Sequence, residues 1–331
     1  MNSNSNRLMK KNSVARLLAL LALTCAATST FAAVLYPVVV NDRWGFVDKE
    51  GALVVNPQFE RADAFAAGLA AVRLGGSWGY VDANGKLAIN PQFKTAGAFS
   101  EGLAAVEFGG RFGYVNPEGQ YAINPQFDAA GPFANGRATI KLKRRHGFID
   151  KSGTIAINPQ FDDAATFAEG LAAVELGGRW GYIDLAGKIS INPQFERVGA
   201  FSEGLAAVRL GKRWGFVDKT GKLAVNPQFD DARGFAKGLA PARVGKLWGF
   251  VDPTGQLAVN PQFDDADTFS EGLARVRIAG RWGFVDKTGK YAINPQFDDA
   301  ASFADGLARV KVARKTGYVN LDGKYVWNPA N

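Results

Sequence analysis

The sequence predicts an all-β protein: nine three-stranded antiparallel units of ~34 residues, joined by crossovers and stacked into an open solenoid or superhelix. Three observations predict it. A phrase such as INPQFDDAATFAEGLAAVELGGRWGYID, starting at Ile157, returns through most of the 331-residue chain at a constant spacing of 34 residues. Each copy carries several Gly, an internal Pro and short β-type runs, with no stretch long enough for the paired helices that such a period often encodes. Two turn signals per copy cut it into three runs. Repeats of about 20–50 residues build solenoids, propellers or arrays, because one unit cannot bury its own apolar face and needs its neighbours to do so.

Residues 1–32 stand apart from the repeat. Arg7, Lys10, Lys11 and Arg16 form a basic start without an acidic residue, the apolar run LLALLALTCAA follows, and Thr30-Phe31-Ala32 ends it. This reads as a secretory signal peptide cleaved near Ala32, and residues 33–331 as a single repeat domain. Cleavage removes four basic residues, so the formal charge falls from +8 to +4, and it removes Cys25, the only cysteine. The exported chain then has no disulfide, no thiolate nucleophile and no transmembrane segment, and it is expected in the periplasm or outside the cell.

Within the repeat, the first element is a run such as LYPVVV (Leu35 to Val40) or GLAAVEL. A two-residue turn follows it, Asn41-Asp42, Gly75-Gly76 or Gly177-Gly178, of the kind that takes positive φ in type I′ or II′ hairpins. The middle run begins at the Trp slot: Trp44, Trp78, Phe112, His146, Trp180, Trp214, Trp248, Trp282 and Thr316, each followed by Gly. Asp-x-x-Gly, as in Asp184 to Gly187, then supplies a type I turn closing on a left-handed Gly, which makes its Asp a turn cap. The third run, KISIN, leads into NPQF. Three strands end at the opposite edge from where the next unit begins, so PQFDDAATFAEG is expected to carry the chain back as a short helical turn or bent strand. The bulky face of each unit and its thin face suit close stacking. The chain starts in a first strand and ends in a third, so no blade is completed by joining the termini; a closed β-propeller is the alternative arrangement.

The Trp-Gly pair, the Asp-x-x-Gly turn, NPQF and the Phe-x-x-Gly-Leu-Ala entry together resemble the bacterial WG-repeat proteins, across all nine units. The resemblance implies an exported repeat protein and assigns no activity. The departures are Phe112, His146 and Thr316 in the Trp slot and a truncated final Asn328-Pro329.

Chemistry has little to start from. His146 is the only histidine, so neither a histidine metal cluster nor a Cys site can form. It is read as a degenerate Trp slot exposed at a turn beside Arg144 and Arg145. The doublets Asp162-Asp163, Asp230-Asp231, Asp264-Asp265 and Asp298-Asp299 invite a hydrolase or a weak Ca²⁺ site, but capping of a helical turn explains them at less cost. No cofactor is expected. Arg43, Arg111, Arg145, Arg179, Arg213 and Arg281 precede the Trp slot and, with Arg144 and His146, are the candidate binding surface. Nucleic acid is disfavoured by export and the modest charge. Trp44, Trp78, Trp180, Trp214, Trp248 and Trp282 are assigned to the core, where each ring contributes ~150–250 Å² of apolar burial. The expected function is non-catalytic: an extended surface that binds a protein or a cell-envelope glycan. The alternatives are a hydrolase of envelope polymers that uses the Asp residues and a ligand-free structural spacer.

Overall fold

The hairpins form where the turn chemistry places them. In the computed structural model, which describes residues 34–328, β1 (Tyr36–Val40) and β2 (Arg43–Val47) pair antiparallel around Asn41-Asp42, whose φ angles of 49° and 60° make the type I′ turn. The signal peptide, its cleavage point and Cys25 lie outside the described residues. From β2 the chain turns through Asp48 to Gly51 into β3 (Leu53–Phe59). Asp48 Oδ1 accepts the Glu50 and Ala52 N–H groups at 3.0 and 2.8 Å, and Gly51 sits at φ 86°. This is the predicted capped turn.

The repeating unit has four strands, not three. The second blade comprises β4 (Arg61–Ala62), β5 (Ala70–Leu74), β6 (Ser77–Val81) and β7 (Leu87–Phe93), hydrogen-bonded in chain order. The return segment therefore makes a fourth strand. Arg61 and Ala62 stand opposite Arg73 and Val72, and the Glu60 and Asp63 N–H groups each donate at 2.9 Å, to Arg73 O and Ala71 O. A further tight turn at Ala67-Gly68, φ 51° and 82°, delivers the chain into β5. The physical reason is that the first run leaves an unpaired row of N–H and C=O groups, and the segment beside it satisfies both by pairing rather than by coiling. No helix forms among the described residues, so the Asp doublets cap no helix.

The third strand is also longer than KISIN predicts, and NPQF belongs to it. Trp78 pairs with Phe93 and Tyr80 with Ile89, so Asn90, Pro91 and Gln92 bulge opposite Gly79. Proline is tolerated there because a bulge frees its nitrogen from the ladder. The bulge in turn dictates the glycine of the Trp-Gly pair: a Cβ on Gly79 would stand 2.4 Å from Ile89 O and 2.7 Å from the Pro91 nitrogen.

The cores lie between blades. Tyr80, Ile89 and Phe93 on the bulky face of the second blade pack against Phe99, Ala104, Val106 and Val115 of the third, which is the bulky-against-thin stacking expected. An open stack of nine units would have eight such cores. Among the described residues there are nine, and the ninth joins Leu307 and Tyr318 of the last blade to Tyr36, Val38 and Val47 of the first. Tyr318 Oη donates to Pro37 O at 2.9 Å across the same junction. Gly51 faces Val326 as Gly85 faces Val55. The open solenoid is thus overturned: the nine sheets close into a nine-bladed β-propeller. Among the described residues the first sheet has three strands and no strand is shared between the first and last blades, and closure does not depend on one. Apolar burial, with two tyrosine hydroxyls bonding across the junction, closes the ring, because an open array would leave the outer faces of its first and last units in water.

Candidate functional site

One end of each blade carries the β-hairpin turn, the Trp slot and the acidic start of the next return segment. Here the arginine row meets the acidic row. Arg111 pairs with Asp128, Arg145 with Asp162, Arg179 with Glu196, Arg213 with Asp230 and Arg281 with Asp298, in each case between one blade and the next. The same carboxylates accept turn N–H groups: Lys143 N–H reaches Asp128 at 2.8 Å, Gly177 N–H reaches Asp162 at 2.7 Å and Gly245 N–H reaches Asp230 at 2.6 Å. Each ion pair clamps two blades, and those at Asp128, Asp162, Asp230 and Asp298 hold a turn as well. Arg43 lies exposed in β2, without an ion-pair partner among the described residues. The second Asp of a doublet bonds locally, as Asp163 Oδ1 does to the Ala164 N–H at 2.8 Å. Among the described residues no three His, Cys, Asp or Glu side chains gather as a metal site would need.

Arg144, Arg145 and His146 are separated by their backbone roles. Lys143-Arg144 form the type I′ turn, φ 47° and 73°, and Arg145 makes the clamp. His146 is not exposed at the turn: it sits half-buried in the strand Arg145–Ile149, 3.6 Å from Asp163. Burial pushes its pKa below the ordinary value of 6.5, Asp163 opposes that and Lys141 adds to it. An open hollow of about 200 Å³ lies beside it, lined by Ala130, Thr139, Lys141 and Ala164.

The tryptophans divide into two groups. Trp44, Trp78, Trp180 and Trp214 are half-buried and packed against the interblade cores, whereas Trp248 and Trp282 are 6% and 8% exposed. Arginine covers the latter two: Arg233 and Arg243 lie 4.8 and 5.9 Å from the Trp248 ring centre, Arg275 and Arg277 lie 4.6 and 5.6 Å from that of Trp282. Arg233 also pairs with Asp265 at 2.9 Å and with Asp267 at 3.4 Å, and Arg275 with Asp267 at 2.8 Å. Burial works against ionisation of Asp267, but the Thr268 N–H and Arg275 hold its carboxyl below the usual range. This layered Arg–Asp–Trp patch is the constellation that sequence reasoning missed. Its signal was charge at slots that most units keep small: Arg233 and Asp267 stand where other units have Gly97, Gly131 and Gly199, though Asp63 is charged there too, and Arg275 where they have Ala105, Ala173 and Ala207, though Arg309 repeats it.

At the opposite end of the blades the polar residues again hold turns. Glu169 accepts the Glu203 and Gly204 N–H groups at 2.7 and 3.1 Å, and Glu203 accepts those of Lys237 and Gly238 at 2.6 and 2.8 Å. Thr220 helps hold the Asp218 carboxyl of the neighbouring Asp-x-x-Gly turn below its usual pKa. No helix among the described residues is long and apolar enough to cross a membrane.

Comparison with known proteins agrees with this geometry. Among solved structures, the chain is similar to a crystal structure of the eukaryotic initiation factor, with 12% identity over 88% of this chain and 95% of that one, at a TM-score of 0.62. Dihydro-heme d1 dehydrogenase NirN matches at 13% identity over 78% and 72%, with a TM-score of 0.48, and Kluyveromyces lactis Hsv2 at 11% over 68% and 93%, with 0.43. At these identities the first likeness shows the fold alone, and the other two carry no argument. A search of the curated proteins finds no match. The model of the WG containing repeat matches eight times between residues 44 and 315, at 44–78, 78–111, 112–143, 147–180, 180–214, 214–248, 248–282 and 282–315. The chain belongs to the WG-containing-repeat family.

Proposed function

We propose that this propeller is an exported, non-catalytic binding scaffold for a protein or cell-envelope glycan. The repeat propeller fold itself points to binding or scaffolding. The observation that carries the reading is how the polar side chains are used. Nearly all that recur in every unit cap a turn or clamp two blades, and charged departures on the seventh and eighth blades gather as the Arg233–Asp267–Arg275 layer over Trp248 and Trp282. Arginine and tryptophan held rigid by their neighbours suit recognition, because little side-chain entropy remains to be lost on binding. A catalytic site would need groups that converge and stay free to react. The test is retention of envelope glycans or envelope proteins on the immobilised chain from Ala33, compared with an Arg233→Ala/Arg275→Ala variant that keeps a cooperative melt. Ligand retained by the first and lost by the second supports the reading. No ligand above background on glycan arrays and in pull-downs refutes it.

A further inference from the structure

The geometry points to the seam between the ninth and first blades as a strand-acceptor site that takes an extended acidic segment of a partner protein. This rests on the scaffold reading and gives it a location. Among the described residues β1 is an edge strand with no neighbour on its outer side, whereas the equivalent strand in each of the eight later blades is covered by a return strand. At that place lies a cavity of about 420 Å³, bounded by Tyr36 and Pro37 of the first blade, Ala64 of the second and Ala304 of the ninth. It occupies the gap between two return strands, where a third would stand. A second hollow of similar volume continues the groove past Val39, Asn41 and Lys315.

The eight sites that a return strand fills show what the seam would accept. In the second blade the return strand donates N–H groups to Arg73 O and Ala71 O, and the same slots on β1 are Val39 and Pro37, whose carbonyl has one lone pair left beside the Tyr318 hydroxyl bond. Proline there is no obstacle, because Pro241 holds that slot in the seventh blade and its carbonyl accepts the Arg233 N–H at 3.0 Å. Charge selects the start of the incoming strand. Lys315 stands in the slot of Arg145 and Arg281, which pair with Asp162 and Asp298, but it has no ion-pair partner among the described residues. The Asn41-Asp42 turn likewise stands where Gly177 N–H finds Asp162. An acidic residue would therefore meet Lys315 and the turn, and two residues on, a small one would fit as Ala164 does. The usual aromatic is not required, since Tyr36 already packs on Tyr318 with ring centres 5.5 Å apart, where Phe99 packs on Tyr80 at 4.9 Å. Addition of a strand to an open edge draws its affinity from main-chain hydrogen bonds and its specificity from alternate side chains.

The probe is a fluorescent synthetic peptide with the sequence of residues 162–170, DDAATFAEG, titrated by anisotropy into the chain from Ala33. Saturable binding is expected. It should weaken by about tenfold or more when the first aspartate of the peptide is replaced by lysine, and recover for that peptide in a Lys315→Glu protein. Ala64→Trp, at an exposed lining position, should abolish binding without lowering the melting temperature. Absence of saturable binding, indifference to both charge changes, or strong amide protection of Val39 before peptide is added would overturn the proposal; the last would mean that a second copy already fills the seam. Envelope ligands retained undiminished by Ala64→Trp while the peptide fails to bind would sink the seam and leave the scaffold reading standing.

Discussion

Replacing Tyr36 with alanine tests how the ring closes. Tyr36 is 6% exposed, its ring packs on Tyr318 at 5.5 Å and its hydroxyl donates to Asp305 O across the seam. Loss of a buried aromatic side chain costs ~3–5 kcal/mol. That total already includes the aromatic pairing, worth ~0.5–1.5 kcal/mol. The seam core has five buried residues, against seven to ten in the other eight, so the change removes a large part of what closes the ring. Phe99→Ala is the control. It removes a comparable ring between the second and third blades, but there Phe93 and Thr95 are separated by one residue of chain, and the blades cannot part. Tyr36→Ala should therefore raise amide exchange at Val38, Val47 and Val319 far above that of other blades and increase the radius of gyration, whereas Phe99→Ala should destabilise without opening the ring. Unchanged exchange at the seam in Tyr36→Ala, or equal opening in both variants, would refute closure by side-chain packing.

Four further outcomes are expected of the same structure. Gly181→Ala places a Cβ 2.4 Å from Ile191 O and should cost ~1–3 kcal/mol by overpacking, whereas Gly170→Ala, at φ 85° with open space around it, suffers only left-handed strain of ~1–2 kcal/mol. Gly170→Asn should then recover part of the loss and Gly181→Asn none, as thermal melts would show. His146→Trp should fill the hollow of about 200 Å³ and raise stability by ~0.5–2 kcal/mol; a lowered melting temperature would show that the hollow cannot admit indole. His146 has its folded pKa below 6.5, so the unfolded chain takes up the proton first. The wild type should therefore lose stability as pH falls through 6.5 more than His146→Trp does, and parallel pH profiles would contradict the burial argument. Arg145→Ala breaks a half-exposed clamp and should cost less than ~1 kcal/mol in denaturant melts.

Much of the fold could be read locally. Asn41-Asp42, Gly75-Gly76 and the Asp-x-x-Gly turns settled two hairpins per unit, because positive φ and side-chain capping are properties of a few adjacent residues. The stacking of a bulky face on a thin one was also visible from alternation along the strands. The fourth strand was not, since Arg61 and Ala62 give only two residues of pairing, too few for a β pattern, and their partners, Arg73 and Val72, lie beyond a turn. The bulge opposite Gly79 was hidden for a similar reason: Gly and NPQF were read as separate signals although each requires the other. At the candidate site, the Arg and Asp rows were legible as rows but not as pairs, because Arg145 and Asp162 meet only when one blade lies on the next.

By itself the sequence determined the all-β class, the period of 34, the number of units and the turn at each hairpin, all of which follow from backbone preferences within a single repeat. Closure was decided by the tertiary structure alone. The angle between stacked blades accumulates over nine units, and whether it brings Tyr318 back onto Tyr36 is a property of the whole ring that no single repeat contains. The one local trace of it is Tyr36 itself, a large ring in a slot that Ala70, Ala104 and Ala308 keep small, placed where two ends of the chain have to meet without a strand to share.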